Sequence, residues 1–515
     1  MFAASTKTAP PGAVFIAAGR TLLRVHTMAL LALAGVMATV APRTDAAIVV
    51  ETSPVANLTY QLDCVGDVVP VCGAREAYRE SWRTMFGVEA RDDARVARWR
   101  ALRGRFQGSL GASSYTRPWF ELVQRVRQAG LRARSIDEYE RYVALLTAAS
   151  HARELASVLR ELSPSFDAWW RGPPQAPLMR HVDELREALA MPDMHDEIAT
   201  LEAFYGVARA NAPFVVYAVH RPAVAGSATT AQVVGEVAVA EIPSDDTLNV
   251  RLPVIVHEYA HVLFARIDER RREALRASVV KAGGSAGWGA WMEFDEAIAT
   301  AIGNGRVYRR LASRDEWARY VRSERSFYTR DETDRAAKAL LPLIDTFLRD
   351  GGRIETQAFG AEYAAVVKGA LGERLLAPVA LLSEFAMVYD ATLGDDVRSV
   401  VQDAVLASTG TYSFWAFGQS CCGRGFLKPL TDFPDKPRLV VIKPQHVAAG
   451  VFLPATLRAA LARQRVPAFG FTSAAGAAPM IVVVARSTAE VAAAMRAIFA
   501  HRALREGGAY SAEVH

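Results

Sequence analysis

Two histidines and a glutamate within one apolar segment are the residues whose types and spacing best suit chemistry. The segment spans residues 252–264 and contains His257, Glu258 and His261. In a helix, residues four apart lie one turn apart on the same face, so both imidazoles can reach a single ion. A zinc ion lowers the pKa of its water towards 7, and Glu258 can act on that water as a general base. The spacing therefore predicts one Zn²⁺ held by His257 and His261.

The competing interpretation is an apolar core helix whose two histidines are satisfied by other polar groups. Burying His257, Glu258 and His261 together without a metal would cost several kcal/mol unless each found a partner. The metal site is therefore the favoured interpretation.

The segment resembles the active-site helix of the HExxH zinc metallopeptidases, the zincins. The metzincin branch is excluded, because Phe264 and Ile267 occupy the places of its glycine and third histidine. The gluzincin branch takes a glutamate from a second helix, and the glycine-rich residues 283–289 provide a reversal before such a helix. The resemblance implies Glu296, in a Glu-x-x-Ala pattern, as the third ligand. Glu293 is the alternative, and otherwise a solvated carboxylate at the helix start.

The resemblance also implies partners around the metal. Thr300 stands where thermolysin-like enzymes place an aspartate that orients a ligand histidine, so Asp295, Thr300 or Asn304 would take that role. Gluzincins use a tyrosine or histidine after the third ligand to stabilise the oxyanion. Tyr328 is the predicted donor here, and the alternatives are Tyr308 and Tyr320. His220 is predicted to be structural.

The chain around the motif changes from helical to strand periodicity. Residues 77–210 are predicted to be helical, and strands are predicted at 214–219 and 232–242. Residues 235–241 lie where gluzincins keep the edge strand that pairs with substrate, although an ordinary sheet strand is equally consistent. Asn249 is a plausible N-cap of the motif helix, with Pro253 in its first turn.

The C-terminal region alternates again between the two periodicities. Helices are predicted over 333–347 and onward to Leu406, followed by a small α/β module. Its predicted elements are strands at 439–442 and 480–484 and helices at 454–463 and 488–501. The predicted fold class is α+β and mainly helical. Its predicted parts are a signal peptide (1–46), a helical N-terminal region (47–211), a zincin-like domain (212–433) and the α/β module (434–515).

The N-terminus predicts export to the periplasm or the exterior. Basic residues precede the apolar stretch 28–41 and small residues follow it, in the order of a secretory signal. An uncleaved anchor, or a start upstream of Met28 that is mis-assigned, would also direct the chain out of the cytoplasm. No other membrane span is predicted.

Four cysteines suit an oxidising compartment. Cys64 and Cys72 can form a disulfide. Cys421 and Cys422 can pair with each other, cross-link to the first pair or remain free. Neither pair has the spacing of a zinc site, and no histidine cluster lies beside them in the sequence.

Composition limits the class of partner. The net charge of +5 is spread thinly, without the clustered basic stripe that nucleic-acid binding requires. The sequence thus predicts an exported zinc metallopeptidase acting on a peptide or protein. The alternative is an inactive zincin-like binding or scaffolding protein of the cell envelope. The oligomeric state is not specified by the sequence.

Overall fold

The computed structural model describes residues 46–512, apart from 69–71, 73, 109–116, 223–226, 410–412, 424 and 474–477. Almost all of the predicted signal peptide lies outside the described residues. The described chain is α+β and mainly helical, as predicted. No helix among the described residues combines the length and apolar character needed to cross a membrane.

The N-terminal part is a layer of helices preceded by one short strand, β1 (Ile48–Glu51). The sequence analysis did not predict this strand, which pairs with a strand more than 160 residues later. The helices are α1 (Pro54–Val65), α2 (Arg75–Phe86), α3 (Ala94–Gly108), α4 (Arg117–Arg132), α5 (Ile136–Ala144), α6 (Ala149–Trp170), α7 (Gln175–Ala190) and α8 (Pro192–Tyr205).

A four-stranded sheet in the order β1-β2-β4-β3 follows the helical layer. Strands β2 (Phe214–Arg221) and β4 (Val237–Pro243) are parallel to β1, and β3 (Thr230–Val234) is antiparallel to β4. The prediction of a strand pair, with one strand over 232–242, was wrong. Gly235 has a φ of 65°, a left-handed conformation that suits glycine, and it turns the chain back as a hairpin.

This topology corrects the expected edge strand. Residues 237–241 belong to β4, which is hydrogen-bonded to β2 on one side and β3 on the other. A strand with partners on both sides cannot accept a substrate strand. The edge strand next to β4 is β3.

The motif lies in helix α9 (Leu248–Ala265), which begins directly after β4 and a short turn. Its N-cap is Thr247 rather than the predicted Asn249, because the Thr247 carbonyl already accepts hydrogen bonds from the amides of Val250 and Arg251. Pro253 therefore lies inside the helix, beyond its first turn.

Several helices follow α9, and some of them pack against it. They are α10 (Glu269–Gly283), α11 (Gly287–Met292), α12 (Phe294–Thr300), a π-helix (Ala301–Val307), α13 (Tyr308–Leu311), α14 (Arg314–Arg322), α15 (Asp331–Arg349) and α16 (Gln357–Leu371). Helix α12 and the π-helix pack directly on α9. The predicted reversal over 283–289 is where a short 3₁₀ turn, Gly284–Ala286, joins α10 to α11.

The C-terminal part is a six-stranded sheet in the order β10-β8-β9-β7-β5-β6. Its strands are β5 (Glu384–Asp390), β6 (Ser413–Gln419), β7 (Arg438–Ile442), β8 (Ala468–Thr472), β9 (Met480–Val484) and β10 (Ala509–Ser511). Its helices are α17 (Pro378–Leu381), α18 (Asp396–Thr409), α19 (Ala455–Ala462) and α20 (Thr488–Ala500). The elements predicted at 439–442, 454–463, 480–484 and 488–501 are confirmed within two residues.

The prediction of helices continuing to Leu406 was wrong at 384–390. This segment is the parallel strand β5, paired with β6 and β7 and buried over nearly its whole length. A short continuous apolar run has no period that separates a buried strand from a buried helix.

The buried residues of the described chain form three hydrophobic cores. One core takes its residues from 47–375, with Ala478 in addition, and joins the helical layer to the first sheet, so residues on both sides of position 211 share it. The second sheet carries a core on each face, and these begin at Leu381 rather than at 434. Strands β5 and β6, which precede residue 434, belong to the second sheet.

Both cysteine pairs are disulfides in the described chain. Cys64 and Cys72 are joined, with their Cα atoms 5.7 Å apart. Cys421 and Cys422 are joined to each other, and no described cysteine is free. The alternatives of a cross-link between the pairs and of free thiols were therefore wrong.

Candidate metal centre

Helix α9 positions the motif by being buried on almost every side. The first sheet covers one side of it, and α12 with the π-helix covers the other. His257 and Glu258 are each only 6% exposed, whereas His261 lies nearer to solvent. The motif side chains therefore lie between α9 and the segment that begins at α12.

Three side chains converge between these two helical segments. The Nε2 atoms of His257 and His261 are 3.0 Å apart. The Glu296 carboxylate approaches both, with Oε1 3.2 Å from His257 Nε2 and Oε2 3.5 Å from His261 Nε2. These three residues form a group whose ligand atoms all lie within 4.8 Å of one another. The structure thus brings together the three predicted ligands.

The donor set fits a zinc ion in chemistry and spacing. Ligand atoms about 2.0–2.2 Å from zinc lie about 3.3–3.6 Å apart in a tetrahedral arrangement. The three observed distances are within a few tenths of an ångström of that range. The contact between the two Nε2 atoms is also at hydrogen-bond distance, whereas Glu296 Oε1 is buried and makes no hydrogen bond to a described residue.

Asp295 orients one of the two histidines. Its Oδ2 lies 2.9 Å from His261 Nδ1, on the ring atom opposite the one that faces Glu296. Burial alone would lower the pKa of His261, but the carboxylates of Asp295 and Glu296 outweigh it and raise the pKa to about 10. The same negative charge favours a cation at this place.

The other histidine has no such partner among the described residues. His257 Nδ1 is buried and makes no hydrogen bond, and the fully buried Thr300 hydroxyl also makes none. Asn304 instead donates from Nδ2 to the Phe327 carbonyl at 2.7 Å. Of the three predicted orienting residues, Asp295 contacts a motif histidine, and Asn304 holds the loop that carries Tyr328.

Glu293 is neither at the convergence point nor solvated. Its carboxylate is fully buried, and Oε2 accepts hydrogen bonds from the Arg330 guanidinium at 2.6 Å and the Thr333 hydroxyl at 3.0 Å. The expectation of a solvated carboxylate at the helix start was wrong, because α15 and the residues before it cover this side of α12. Glu293 is thus a buried ion-pair partner beside the centre.

Tyr328 lies against the convergence point, whereas the two alternative tyrosines do not. Its ring stacks on that of His257, with centroids 6.2 Å apart and an interplanar angle of 10°. Burial and the nearby Glu296 carboxylate raise the pKa of Tyr328, which keeps its hydroxyl protonated. Tyr308 and Tyr320 stack on each other, with centroids 4.0 Å apart.

The residues just before Tyr328 are held by the side chains of Asp334 and Asn304. The buried Asp334 accepts hydrogen bonds from the amides of Arg325 and Phe327 at 3.2 Å and 2.8 Å. Asn304 holds the Phe327 carbonyl, as described above. This loop therefore presents Tyr328 with little conformational freedom.

Glu258 is the remaining acid at the centre. Burial raises its pKa, the two motif histidines lower it, and the Glu296 and Asp295 carboxylates raise it further, with a net increase. A carboxylate with a raised pKa is closer to the range in which a general base works at neutral pH.

Comparison with protein-family models, curated protein sequences and solved structures returned no match to this chain.

Two features that build the centre were not predicted from the sequence. Gly303, in the π-helix, lies so close to α9 that an added Cβ would meet Pro253 O and would lie 2.7 Å from His257 Cβ. The Glu293–Arg330–Thr333 cluster joins α12 to the start of α15. The glycine was visible in the sequence, but only the packing of two helices shows what it touches.

Proposed function

We propose that this chain is an exported zinc-dependent metallopeptidase of gluzincin-like type. His257, His261 and Glu296 would hold one Zn²⁺, Glu258 would serve as base and acid, and Tyr328 as oxyanion donor. The observation that supports this most strongly is the convergence of the three ligand atoms at distances near those of a tetrahedral zinc site. Export is proposed from the N-terminal residues alone.

The chemistry follows from what each side chain can do. A bound zinc ion would supply a water of lowered pKa and polarise a peptide carbonyl. Glu258 takes the proton of the attacking water and passes it to the leaving amine. The Tyr328 hydroxyl donates a hydrogen bond to the oxygen on which negative charge develops. Asp295 holds the His261 ring in the orientation that keeps Nε2 directed at the ion.

The test combines metal analysis with peptide cleavage. We expect the purified full chain to bind one zinc ion at His257, His261 and Glu296 and to cleave members of a broad peptide library. Glu258→Gln should retain that zinc and lose cleavage by a factor of at least about 10². Glu236→Gln, at the exposed tip of the β3–β4 hairpin, is the matched control and should behave as the wild type.

Two results would contradict the proposal in different ways. Absence of zinc from the wild type, or a zinc content that His257→Ala leaves unchanged, would refute the metal centre. Zinc binding without cleavage of any library member over a broad pH range would instead favour the inactive binding or scaffolding protein.

A further inference from the structure

A second group of metal-ligating side chains lies in the C-terminal sheet, apart from the motif helix. It consists of Cys421, Cys422 and His446, whose ligand atoms lie within 4.8 Å of one another. The cysteines follow β6 and His446 ends a 3₁₀ turn after β7. The sequence analysis dismissed the cysteines as ligands because no histidine is near them in the chain. The fold supplies one from 24 residues away.

The position in the sheet is one where α/β proteins bind ligands. Strands β6 and β7 are the two parallel neighbours of β5, so all three carboxyl ends meet at one edge. The connection from β5 to β6 runs through α18 on one face of the sheet. The connection from β6 to β7 packs Phe426 and Leu430 on the other face. Connections that diverge in this way leave a crevice at the carboxyl ends of the strands.

A buried carboxylate supports the histidine. Asp390 is the last residue of β5 and is 1% exposed. Its Oδ1 accepts hydrogen bonds from the amide and hydroxyl of Thr392, at 3.0 Å and 2.7 Å. Its Oδ2 is buried, makes no hydrogen bond to a described residue and lies 3.3 Å from His446 Nε2. A carboxylate beside a histidine in this way fixes the ring and its tautomer in many metal sites.

We propose that Cys421, Cys422 and His446 bind a thiophilic d¹⁰ cation, Zn²⁺ or Cu⁺, when the two cysteines are reduced. Thiolates select such cations, and an imidazole completes a set that both accept. All three side chains are half-buried, so a cation can reach them from solvent. The site is independent of the proposed peptidase centre and shares no residue with it.

The proposal makes metal binding and the disulfide mutually exclusive. Only thiolates ligate the ion, so the Cys421–Cys422 bond must first accept two electrons and two protons. A thiol or phosphine reductant supplies the electrons and is itself oxidised. Each thiol then releases its proton to solvent as the ion binds.

The test is a Cd²⁺ titration of the full chain after reduction with a phosphine. Thiolate ligation gives a charge-transfer absorption in the ultraviolet, whereas the His257, His261 and Glu296 site has no thiolate and stays silent. We expect saturable absorption in the reduced wild type and none in the oxidised protein. Cys421→Ser/Cys422→Ser should abolish the absorption, and His446→Gln should weaken Cd²⁺ binding at least about tenfold.

Two controls keep the result specific. His501→Gln changes a histidine that contacts Phe469 and Tyr510 at the other end of the sheet, and it should bind Cd²⁺ as the wild type does. Cys64→Ser/Cys72→Ser removes the other pair and should retain the absorption. Repeating the titration with Zn²⁺ or Cu⁺ as competitor shows which cation displaces Cd²⁺.

The outcomes that would overturn the proposal are equally definite. Absorption that survives in Cys421→Ser/Cys422→Ser would assign it to Cys64 and Cys72. Equal affinities for His446→Gln and the wild type would remove the histidine from the site. If the double-serine variant fails to fold, as judged by circular dichroism, the comparison of His446→Gln with His501→Gln decides alone.

Discussion

Asp295 Oδ2 lies 2.9 Å from His261 Nδ1, and the residue that follows Asp295 presents its carboxylate to the other nitrogen of the same ring. Two adjacent residues of α12 therefore fix one imidazole from both sides. Because side chains of neighbouring helix residues diverge by about 100°, this is possible only where α12 crosses close to α9. In the proposed centre, Asp295 would thus orient the His261 ring and Glu296 would ligate the ion.

We expect Asp295→Asn to weaken zinc binding about 10–100-fold without loss of the fold. An amide in place of the carboxylate still reaches the ring but no longer carries the charge that makes His261 a strong ligand. Competition with a chelator measures the dissociation constant. Asp315→Asn, in the exposed first turn of α14, is the control, and an unchanged constant for Asp295→Asn would rule out the orienting role.

Tyr328 can be separated from the other tyrosines by kinetics. Tyr328→Phe should lower kcat about 10²–10³-fold and leave the zinc dissociation constant unchanged, because only the oxyanion hydrogen bond is lost. Tyr308→Phe and Tyr320→Phe should keep most of the activity, since those rings stack on each other away from the centre. A similar loss of kcat in all three variants would point to a packing effect instead.

Glu293 and Glu296 should respond differently to the same substitution. Glu296→Gln is expected to raise the zinc dissociation constant at least about 100-fold, whereas Glu293→Gln should leave it within a few-fold of the wild type. Glu293→Gln should have little effect because Glu293 binds Arg330 and Thr333 and does not reach the convergence point. Equal losses of zinc from both variants would contradict this assignment.

Arg330 tests the same cluster through stability. Arg330→Ala should lower the free energy of unfolding by about 3 kcal/mol, because the buried Glu293 carboxylate loses its counter-charge. Combining Arg330→Ala with Glu293→Gln should recover part of that loss, since the remaining group is then neutral. Urea unfolding of the zinc-free proteins measures both values, and strict additivity of the two changes would show that the pair is not coupled.

The sequence predicted the parts of the centre that depend on local spacing. His257 and His261 meet because four residues make one turn, and Glu296 follows from a pattern in the next helix. The Glu293–Arg330 pair could not be predicted, since 37 residues separate its members and only the packing of α15 joins them. The β5 strand was missed because its apolar run carries no period, and the β3–β4 hairpin because its strand pattern continues through Gly235.

His220 predicts a pH dependence of stability that is unrelated to the metal. Burial lowers its pKa to about 4 from an ordinary value near 6.5, and its Nδ1 makes no hydrogen bond to a described residue. Below about pH 6.5, His220 binds a proton in the unfolded chain but not in the folded chain. The free energy of unfolding therefore decreases as the pH falls towards 4. Between about pH 7 and pH 4.5 the free energy of unfolding should decrease by about 2–3 kcal/mol from this cause.

The measurement is urea unfolding of the zinc-free protein at those two pH values. His220→Gln should flatten the pH dependence by about 2–3 kcal/mol. His195→Gln, which changes an exposed histidine of α8, is the control and should leave the pH dependence unchanged. An identical pH dependence in His220→Gln and the wild type would show that other groups cause the loss.

Gly303 packs the π-helix against His257, and an added methyl group tests that contact. An alanine Cβ would meet Pro253 O and would lie 2.7 Å and 2.8 Å from His257 Cβ and N, so α9 or the π-helix must move. Gly303→Ala should therefore cost about 1–3 kcal/mol of stability and weaken zinc binding, because His257 moves with its helix. The control is Gly369→Ala in the exposed part of α16, where an added Cβ meets nothing within 4 Å. The free energy of unfolding of that variant should rise by about 0.5–1 kcal/mol, and it should bind zinc as the wild type does. Urea unfolding and chelator competition measure the two effects, and a Gly303→Ala protein with wild-type values in both would show that the two helices do not hold His257 in place.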